Sequence, residues 1–362
     1  MVYPLLQANR DKLDNNFAQL LRSWATATLS ELEAEHTRRT AVAIGNLSNL
    51  IREFRRGDRA SNLEIAITGY EVVATVFTHQ AFPEQWATTQ NNLGIAYCDR
   101  IKGERTENIE VAIRCFSSAL EEYTRQAFPK QWAVTQNNLG NAYLNRIHGN
   151  RAENLEAAIH CFSAALEVRT REDFPQDWAD TQNNLGVAYF NRIQGERAKN
   201  LEAAIHCFSS GLEVHTHQAF PQNHAKTQFN LGLAYRDAQQ FSKAYSAFAL
   251  AIDAVEFLRG EIVSGDEAKQ KLADEWNPLY QDTVEVCLEL HDYTEAIKYV
   301  ERSQARNLVE LLANPELYPE GNIPVEILNE LNRLHQEITR TPQLIDMEVE
   351  RRRRGILTWK SA

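Results

Sequence analysis

The sequence lacks an excess of basic charge. Its 38 Lys and Arg residues are outnumbered by 49 Asp and Glu residues, which gives a formal net charge of -11 at pH 7. Nucleic-acid binding needs clustered cations that neutralise phosphates, so this balance argues against a nucleic-acid partner. One basic run, 351–354, is typical of a solvated patch at the end of a charged tail, with a nucleic-acid or lipid contact as the alternative.

The sequence also has few cysteines and no long apolar run. The five cysteines form no C-x-x-C pair, and residues 1–14 contain no apolar segment of the signal-peptide kind. No stretch approaches the ~18 consecutive apolar residues of a membrane span. We therefore predict a cytoplasmic protein without a membrane partner.

Proline and glycine are scarce for a chain of this length, with 10 and 15 residues among 362. Hydrophobic residues make up 43% and charged residues 24%, which is typical of a folded, helix-rich chain rather than a disordered one.

What the sequence does contain is an internal repeat. Four prolines follow one another at intervals of 46 residues, each preceded by phenylalanine: Pro83, Pro129, Pro175 and Pro221. A helix is expected to begin at each proline, because proline is favoured in a first helical turn. Three of these helices carry the same Gln-Asn-Asn-Leu-Gly segment followed by Ala-Tyr, at residues 90–97, 136–143 and 182–189.

Each unit is predicted to contain a second helix. We expect the first helix to end at a glycine, Gly103 in the first clear unit, and the second to begin near an asparagine, Asn108. The same residues recur as Gly149 with Asn154 and as Gly195 with Asn200. An Ile-x-Cys-Phe segment then forms the apolar stripe of the second helix.

These residues carry a family resemblance. Leu93-Gly94 with Tyr97, followed by Ala112, Phe116 and Ala119, resembles the tetratricopeptide (TPR) consensus, although that repeat is 34 residues long. The resemblance implies an all-α fold, a right-handed superhelical solenoid of antiparallel helix hairpins with 46-residue repeats.

The repeat also predicts the domain organisation. We expect N-terminal capping helices in 1–36, an array in 37–258, a TPR-like helix pair in 266–313 and a helical, partly flexible tail in 314–362 with one helix near 326–340. The units of the array are 37–82, 83–128, 129–174, 175–220 and 221–258. Atypical terminal units are what a solenoid needs to cap its core.

The flanks resemble a narrower group. Residues 2–6, Trp24-Ala25-Thr26 and the segment 301–312 look like cyanobacterial proteins that join TPR repeats to a CHAT domain, a caspase-like cysteine peptidase with a His and Cys dyad. The remaining 50 residues contain no cysteine and only His335. We therefore expect the scaffold part without the CHAT domain, as a natural protein or as a piece of a longer one.

The candidate binding residues lie on the first helices, which line the concave face of such an array. Side-chain amides offer donors and acceptors that suit the main chain of an extended peptide, and long-repeat TPR proteins such as kinesin light chains resemble this arrangement. The asparagines in question are Asn91, Asn137 and Asn183, followed by Asn92, Asn138 and Asn184. The alternative is that they bond to the neighbouring repeat and fix the stacking.

Further lining positions vary between units, as specificity positions do. They include Asn141, Leu144, Phe190 and Arg236, whose apolar members favour pockets for peptide side chains, or else pack between hairpins. Arg100, Arg146 and Arg192 are interpreted as local ion-pair partners of turn glutamates such as Glu104, Glu107, Glu153 and Glu196, with contact to an acidic ligand as the alternative. Trp86, Trp132 and Trp178 are predicted to pack between repeats.

No enzyme signature is present. The His160-Cys161 and His206-Cys207 neighbours point about 100° apart on a helix, so neither pair forms a nucleophile and base. We predict no catalytic residue, no metal and no cofactor. The favoured function is an adaptor that binds a protein or peptide in its groove. The alternatives are a regulatory arm of a CHAT peptidase, which would then be its partner, and a structural array that associates with itself through uncapped ends.

Overall fold

The computed structural model describes residues 2–54, 56–262 and 266–313, with side chains in 3–54, 56–262 and 268–303. Within these ranges all regular structure is helical. The chain forms two compact units that divide between Thr216 and His217.

The first unit contains ten α-helices. Two precede the hairpins, α1 (Val2–Ala8) and α2 (Asn15–Glu31), with a 3-10 turn at Arg10–Lys12 between them. Four hairpins follow: α3 (Ala34–Glu53) with α4 (Arg59–Val76), α5 (Pro83–Asp99) with α6 (Arg105–Glu122), α7 (Pro129–Leu144) with α8 (Arg151–Leu166), and α9 (Pro175–Phe190) with α10 (Arg197–Leu212). In each hairpin the two helices pack along their length, and α4, α6 and α8 also pack against the first helix of the next hairpin.

The described part of the second unit contains two more hairpins. They are α11 (Pro221–Asp237) with α12 (Phe241–Gly260), and α13 (Asp266–Glu289) with α14 (Tyr293–Ala313). Its core joins Phe248 and Ile252 of α12 to Leu279 of α13 and Tyr299 of α14.

The first helices begin where the sequence predicts. Pro83, Pro129 and Pro175 occupy the first helical turn. The phenylalanine before each proline is the N-cap residue and has a φ between -144° and -137°. Because proline lacks a backbone N–H, it fits the first turn, where that group has no helical partner.

The turns between the helices differ from the prediction. The first helices end at Asp99, Leu144 and Phe190, before the glycines, and the second helices begin at Arg105, Arg151 and Arg197, before the predicted asparagines. The glycines lie inside the turns with φ between +77° and +81°, a conformation that glycine adopts without strain. Asn108, Asn154 and Asn200 are buried and donate to the turn carbonyls of Lys102, His148 and Gln194. The asparagines therefore close the turns rather than cap the helices.

A glycine and a phenylalanine hold the two helices together in the hairpins α5–α6, α7–α8 and α9–α10. Phe116 of α6, Phe162 of α8 and Phe208 of α10 are fully buried, and each lies against a glycine of the preceding helix. A Cβ added to Gly94, Gly140 or Gly186 would lie 2.6 to 2.7 Å from the phenylalanine ring, so these positions have no room for a side chain. This close contact lets the two helices approach each other.

The predicted fold class, an all-α array of antiparallel TPR-type hairpins, is confirmed. Trp86 and Trp132 come from consecutive hairpins and pack against one cluster of Ala87, Ala119 and Tyr123, as predicted for the tryptophans. The predicted tail 314–362, including its helix and its basic run, lies outside the described residues.

Candidate functional site

Two asparagine rows lie on the first helices α5, α7 and α9. One row is Asn91, Asn137 and Asn183, and the other is Asn92, Asn138 and Asn184. Asn91, Asn92, Asn137, Asn138 and Asn184 are half-buried, and Asn183 is buried. They follow buried residues that the hairpin core holds in place, such as Ala87 and Thr89 on α5.

The asparagines of consecutive hairpins bond to each other. Asn138 Nδ2 lies 3.3 Å from Asn91 Oδ1, and Asn184 Nδ2 lies 3.3 Å from Asn137 Oδ1. We call these two linked sets the asparagine pairs, Asn91 with Asn138 and Asn137 with Asn184. At the N-terminal end of the array, Asn92 bonds instead to Asn49 of α3 at 3.4 Å.

A threonine completes each pair. Thr135 Oγ1 lies 3.2 Å from Asn91 Oδ1, and Thr181 Oγ1 lies 3.3 Å from Asn137 Oδ1. Both hydroxyls also lie within hydrogen-bond distance of the carbonyl four residues earlier, Gln131 or Asp177. Sequence reasoning missed these threonines, although Thr89, Thr135 and Thr181 recur with the same 46-residue interval and are all buried.

Each pair leaves two polar atoms that make no hydrogen bond to another described residue. Among the described residues, Nδ2 of Asn91 and Oδ1 of Asn138 have no hydrogen-bond partner, and neither atom is buried. The same holds for Nδ2 of Asn137 and Oδ1 of Asn184. One pair therefore offers one donor and one acceptor, the combination that a peptide backbone presents.

Each pair offers the same two groups whichever way the oxygen and nitrogen of its side-chain amides are assigned. If both amides of a pair are rotated, the bond between them persists with donor and acceptor exchanged, and the pair again offers one N–H₂ group and one carbonyl. The bond across hairpins thus fixes the orientation of the groups that remain accessible.

The variable positions fall into two groups. Asn141 is half-buried beside the asparagine rows, and its backbone carbonyl accepts a bond of 2.8 Å from Asn145. Leu144 is partly buried and packs against a core cluster formed by α8 of its own hairpin and by α9 and α10 of the next. Phe190 lies beneath the Arg197 guanidinium, 5.0 Å from the ring centroid, and its carbonyl accepts from the same arginine. Leu144 and Phe190 therefore belong to the helix ends near the turns.

Arg236 lies in the second unit and is ion-paired. Its guanidinium contacts Asp282 of α13, with Glu285 3.5 Å away. Burial raises the pKa of Asp282, while the bond from Arg236 opposes that increase. This arginine joins α11 to α13.

The arginines Arg100, Arg146 and Arg192 link hairpins rather than turns. Each donates two bonds of 2.7 to 2.9 Å to one glutamate on the second helix of the preceding hairpin: Glu64, Glu110 and Glu156 respectively. The predicted turn glutamates are thus the wrong partners. The repeat period alone does not identify the glutamate that each arginine contacts. That glutamate lies 36 residues earlier, whereas the turn glutamates lie closer in sequence.

Four of the five cysteines are buried, and Cys98 is half-buried. All five are free, and burial raises the pKa of Cys161 and Cys207 to about 12 and that of Cys115 to about 11. His160 and His206 are exposed while the adjacent cysteines are buried, so neither pair brings a base to a thiolate. The described residues contain no group of side chains able to hold a metal ion. Among the described helices, none is long and apolar enough to cross a membrane.

The described residues thus define a class, a TPR-type repeat array with an amide-lined face on its first helices. No protein-family model and no curated protein matches the sequence. Among solved structures, the chain is similar to the C-terminal part of a TPR repeat-containing protein from Cytophaga hutchinsonii, at 14% identity over 79% of this chain and 96% of that one, with a TM-score of 0.40. It is also similar to the TPR2AB domain of yeast Sti1, from a structure described as a pHSP90 complex, at 15% identity over 83% and 99% of the two chains, with a TM-score of 0.27. Both TM-scores are low.

Proposed function

We propose that the chain is a protein-interaction scaffold that binds an extended peptide segment of a partner along α5, α7 and α9. The observation that carries this proposal is the pair of accessible polar atoms at each asparagine pair. The binding residues are Asn91, Asn137 and Asn183 with Asn92, Asn138 and Asn184, while Asn141, Leu144 and Phe190 contribute side-chain contacts.

The bonding of the asparagines supports a combined role. In the two asparagine pairs, one amide atom of each asparagine bonds to the neighbouring hairpin and the other is accessible, so the structural and the binding interpretations do not compete. An asparagine side chain that is already held in place loses little conformational entropy when a peptide binds, which favours affinity.

The lining also supports a ligand segment without a strong charge. The positions beside the asparagine rows are Ile95, Asn141 and Val187, which are uncharged and half-buried. A main-chain ligand with apolar side chains fits this face better than a terminal carboxylate, which arginine or lysine forks would recognise.

The test uses peptides selected on the intact chain. Random dodecapeptides displayed on phage are panned against the full-length protein, and an enriched peptide is synthesised and measured by calorimetry. The double variant Asn91→Asp, Asn137→Asp keeps the acceptors that face the next hairpin and removes the accessible donors. We expect it to lose about tenfold or more in affinity, the effect of one or two hydrogen bonds.

A matched control separates binding from stacking. The double variant Thr135→Val, Thr181→Val removes the hydroxyls between hairpins and leaves the accessible amide atoms in place. We expect a lower melting temperature with nearly unchanged affinity. Failure of any peptide to enrich, or equal affinity of the Asp variant, would refute the proposed face.

The regulatory role beside a CHAT peptidase is the second candidate. It is supported by the resemblance of the segment 305–312, which lies in α14. A CHAT reading frame downstream of codon 362 or in a neighbouring gene, together with a change in that peptidase's cleavage rate when this chain is added, is the expected result. No effect on cleavage would exclude this role. A cytoplasmic location remains part of the proposal and is supported by the five free thiols.

A further inference from the structure

The two asparagine pairs present equivalent groups, one hairpin apart. In both pairs the donor nitrogen lies 3.3 Å from the acceptor oxygen, and the threonine hydroxyl lies 3.2 or 3.3 Å from that same oxygen. Both leave the Nδ2 of the earlier asparagine and the Oδ1 of the later one without a hydrogen bond to another described residue. A ligand along α5, α7 and α9 therefore meets the same donor and the same acceptor twice, at an interval that the array sets.

That interval follows from the packing of the first helices. Helix α5 contacts α7, and α7 contacts α9, so consecutive first helices lie directly side by side. The side chains that join them at the pairs are short ones, asparagine and threonine. The axes of helices in direct contact lie about 8 to 10 Å apart, so the pairs recur at about 9 Å.

Of the two regular extended forms of a peptide, one matches this interval. A β-strand presents the same side every two residues, so its equivalent groups recur at about 7 Å and again at about 13 Å. A polyproline II helix has three residues per turn and rises about 3.1 Å per residue, so its equivalent groups recur at about 9 Å. Its backbone groups make no internal hydrogen bonds and are free to bond to the asparagine pairs.

We propose that the peptide held by the asparagine pairs is a polyproline II helix that offers a backbone N–H at every third residue. This ligand class rests on the proposed function and adds to it the conformation and a sequence rule for the partner. The accessible Oδ1 atoms of Asn138 and Asn184 accept the N–H groups. The accessible Nδ2 atoms of Asn91 and Asn137 donate to backbone carbonyls. Because proline has a carbonyl but no N–H, it fits every position of the ligand except those that donate.

The side chains beside the pairs agree with such a ligand. Ile95 and Val187, one helical turn beyond the asparagines of α5 and α9, are apolar and half-buried. Asn141 occupies the same place on α7, so none of the three positions carries a charge. Proline rings of the ligand find apolar contacts at Ile95 and Val187. Proline also restricts the free peptide to the bound form, which reduces the entropy lost on binding.

Two proline-rich peptides of the same composition test the register. The first is four copies of Ala-Pro-Pro and offers an N–H at every third residue. The second is two copies of Ala-Pro-Ala-Pro-Pro-Pro, in which no two alanines are three residues apart. Both favour polyproline II and have the same blocked ends, so they differ in where the N–H groups lie. The first bonds to both pairs at once and the second to one, so we expect the first to bind about five- to tenfold more tightly. Fluorescence anisotropy of labelled peptides titrated with the full-length chain measures both affinities.

The variant Asn138→Ala links this preference to the pairs. It removes the acceptor of one pair, so the Oδ1 of Asn184 remains and the two peptides should bind with equal affinity. A purely structural role of Asn138 would weaken both peptides alike and leave the ratio of their affinities unchanged. Asn145→Ala is the matched control on α7, because Asn145 is exposed and bonds to the carbonyl of Asn141, and it should keep the ratio. Circular dichroism of both variants checks that the fold is retained.

Equal affinity of the two peptides for the wild-type chain would overturn the proposal, as would a ratio that persists in Asn138→Ala. An alternating Thr-Val dodecapeptide that binds more tightly than both, and loses affinity in the Asn91→Asp, Asn137→Asp variant, would also overturn it. In that case the ligand is a β-strand, and the proposed binding face stands without the polyproline II form. If neither these peptides nor any selected dodecapeptide binds, the proposed function itself fails, and the register fails with it.

Discussion

Gly140 of α7 shows how a single residue sets the distance between two helices. A Cβ at this position would lie 2.7 Å from Cε1 of Phe162, which is itself fully buried. By contrast, Gly45 in α3 has room, since a Cβ there would lie 3.8 Å from Cγ2 of Val73. Two helical glycines in one unit therefore have opposite requirements.

Substituting these glycines should change stability in opposite directions. Gly140→Ala forces Phe162 to move and is expected to lower the free energy of unfolding by about 1 to 3 kcal/mol. Gly45→Ala removes backbone freedom without a clash and is expected to raise it by about 0.5 to 1 kcal/mol. Urea denaturation followed by circular dichroism measures both. Equal effects of the two substitutions would contradict the packing argument.

Asn154 makes a second residue-scale prediction. Its buried amide donates to the carbonyl of His148 at 2.8 Å and accepts from Arg146 at 3.3 Å. Asn154→Ala leaves both groups without this partner and should cost about 1 to 3 kcal/mol. Asn145→Ala is the comparison, because Asn145 is exposed and should change stability by less than about 0.5 kcal/mol. A cost for Asn154→Ala as small as the one expected for Asn145→Ala would show that the turn does not depend on the buried amide.

At the scale of the element, the hairpins are joined by charged links. The bonds from Arg146 hold the pKa of Glu110 below its ordinary value, and those from Arg192 do the same for Glu156. A carboxyl whose pKa is lower in the folded state stabilises the fold while it is ionised. This contribution is complete above the unfolded pKa of about 4.3 and is lost as the pH falls through the lowered folded value.

The double variant Glu110→Gln, Glu156→Gln should therefore have a weaker response to acid. At pH 7 it is expected to unfold at a lower urea concentration than the wild-type chain, and the two should converge below about pH 4, where the wild-type glutamates become protonated. Urea midpoints between about pH 3 and pH 7 provide the measurement. Glu121→Gln, on the exposed side of α6, is the control and should follow the wild-type curve. Parallel curves for the double variant would argue against stabilising links.

The starts of the first helices were predictable from the sequence, whereas their ends and the starts of the second helices were not. The Phe-Pro step fixes the start because proline constrains its own φ and the residue before it. The first helix ends before Gly103, because the buried Asn108 amide holds the carbonyl of Lys102 and keeps the turn out of the helix. The sequence does not distinguish an asparagine whose side chain bonds to a turn carbonyl from an asparagine that caps a helix, because both recur with the same period.

At the scale of the whole molecule, the repeat predicted the fold, and the asparagine rows were predicted as candidate binding residues. The period identifies equivalent positions, but it does not reveal which atom faces the next hairpin. Asn91 and Asn138 are 47 residues apart and Asn91 and Thr135 are 44 apart, so their bonds depend on how consecutive hairpins stack. The binding role of these residues remains a prediction for the peptide experiment.

The buried cysteines offer a measure of how the first unit opens. Cys115, Cys161 and Cys207 occupy equivalent places in three hairpins, and burial raises their pKa to about 11 or 12. Iodoacetamide at pH 8 should therefore modify them far more slowly in the native chain than in urea, since the thiolate is the reacting form. Mass spectrometry of the labelled peptides gives one rate per hairpin. Fast native labelling of all three would contradict their burial.

The links between hairpins bear on how a gene for this chain can change its length. Each link joins a donor in one 46-residue block to an acceptor in the block before it, as Arg146 joins Glu110 and Asn138 joins Asn91. A tandem duplication of one whole block, wherever its boundaries fall, supplies a new donor and a new acceptor in the same register. Recombination in steps of 46 codons therefore preserves every bond, while an insertion of any other length breaks the register of all of them at that point.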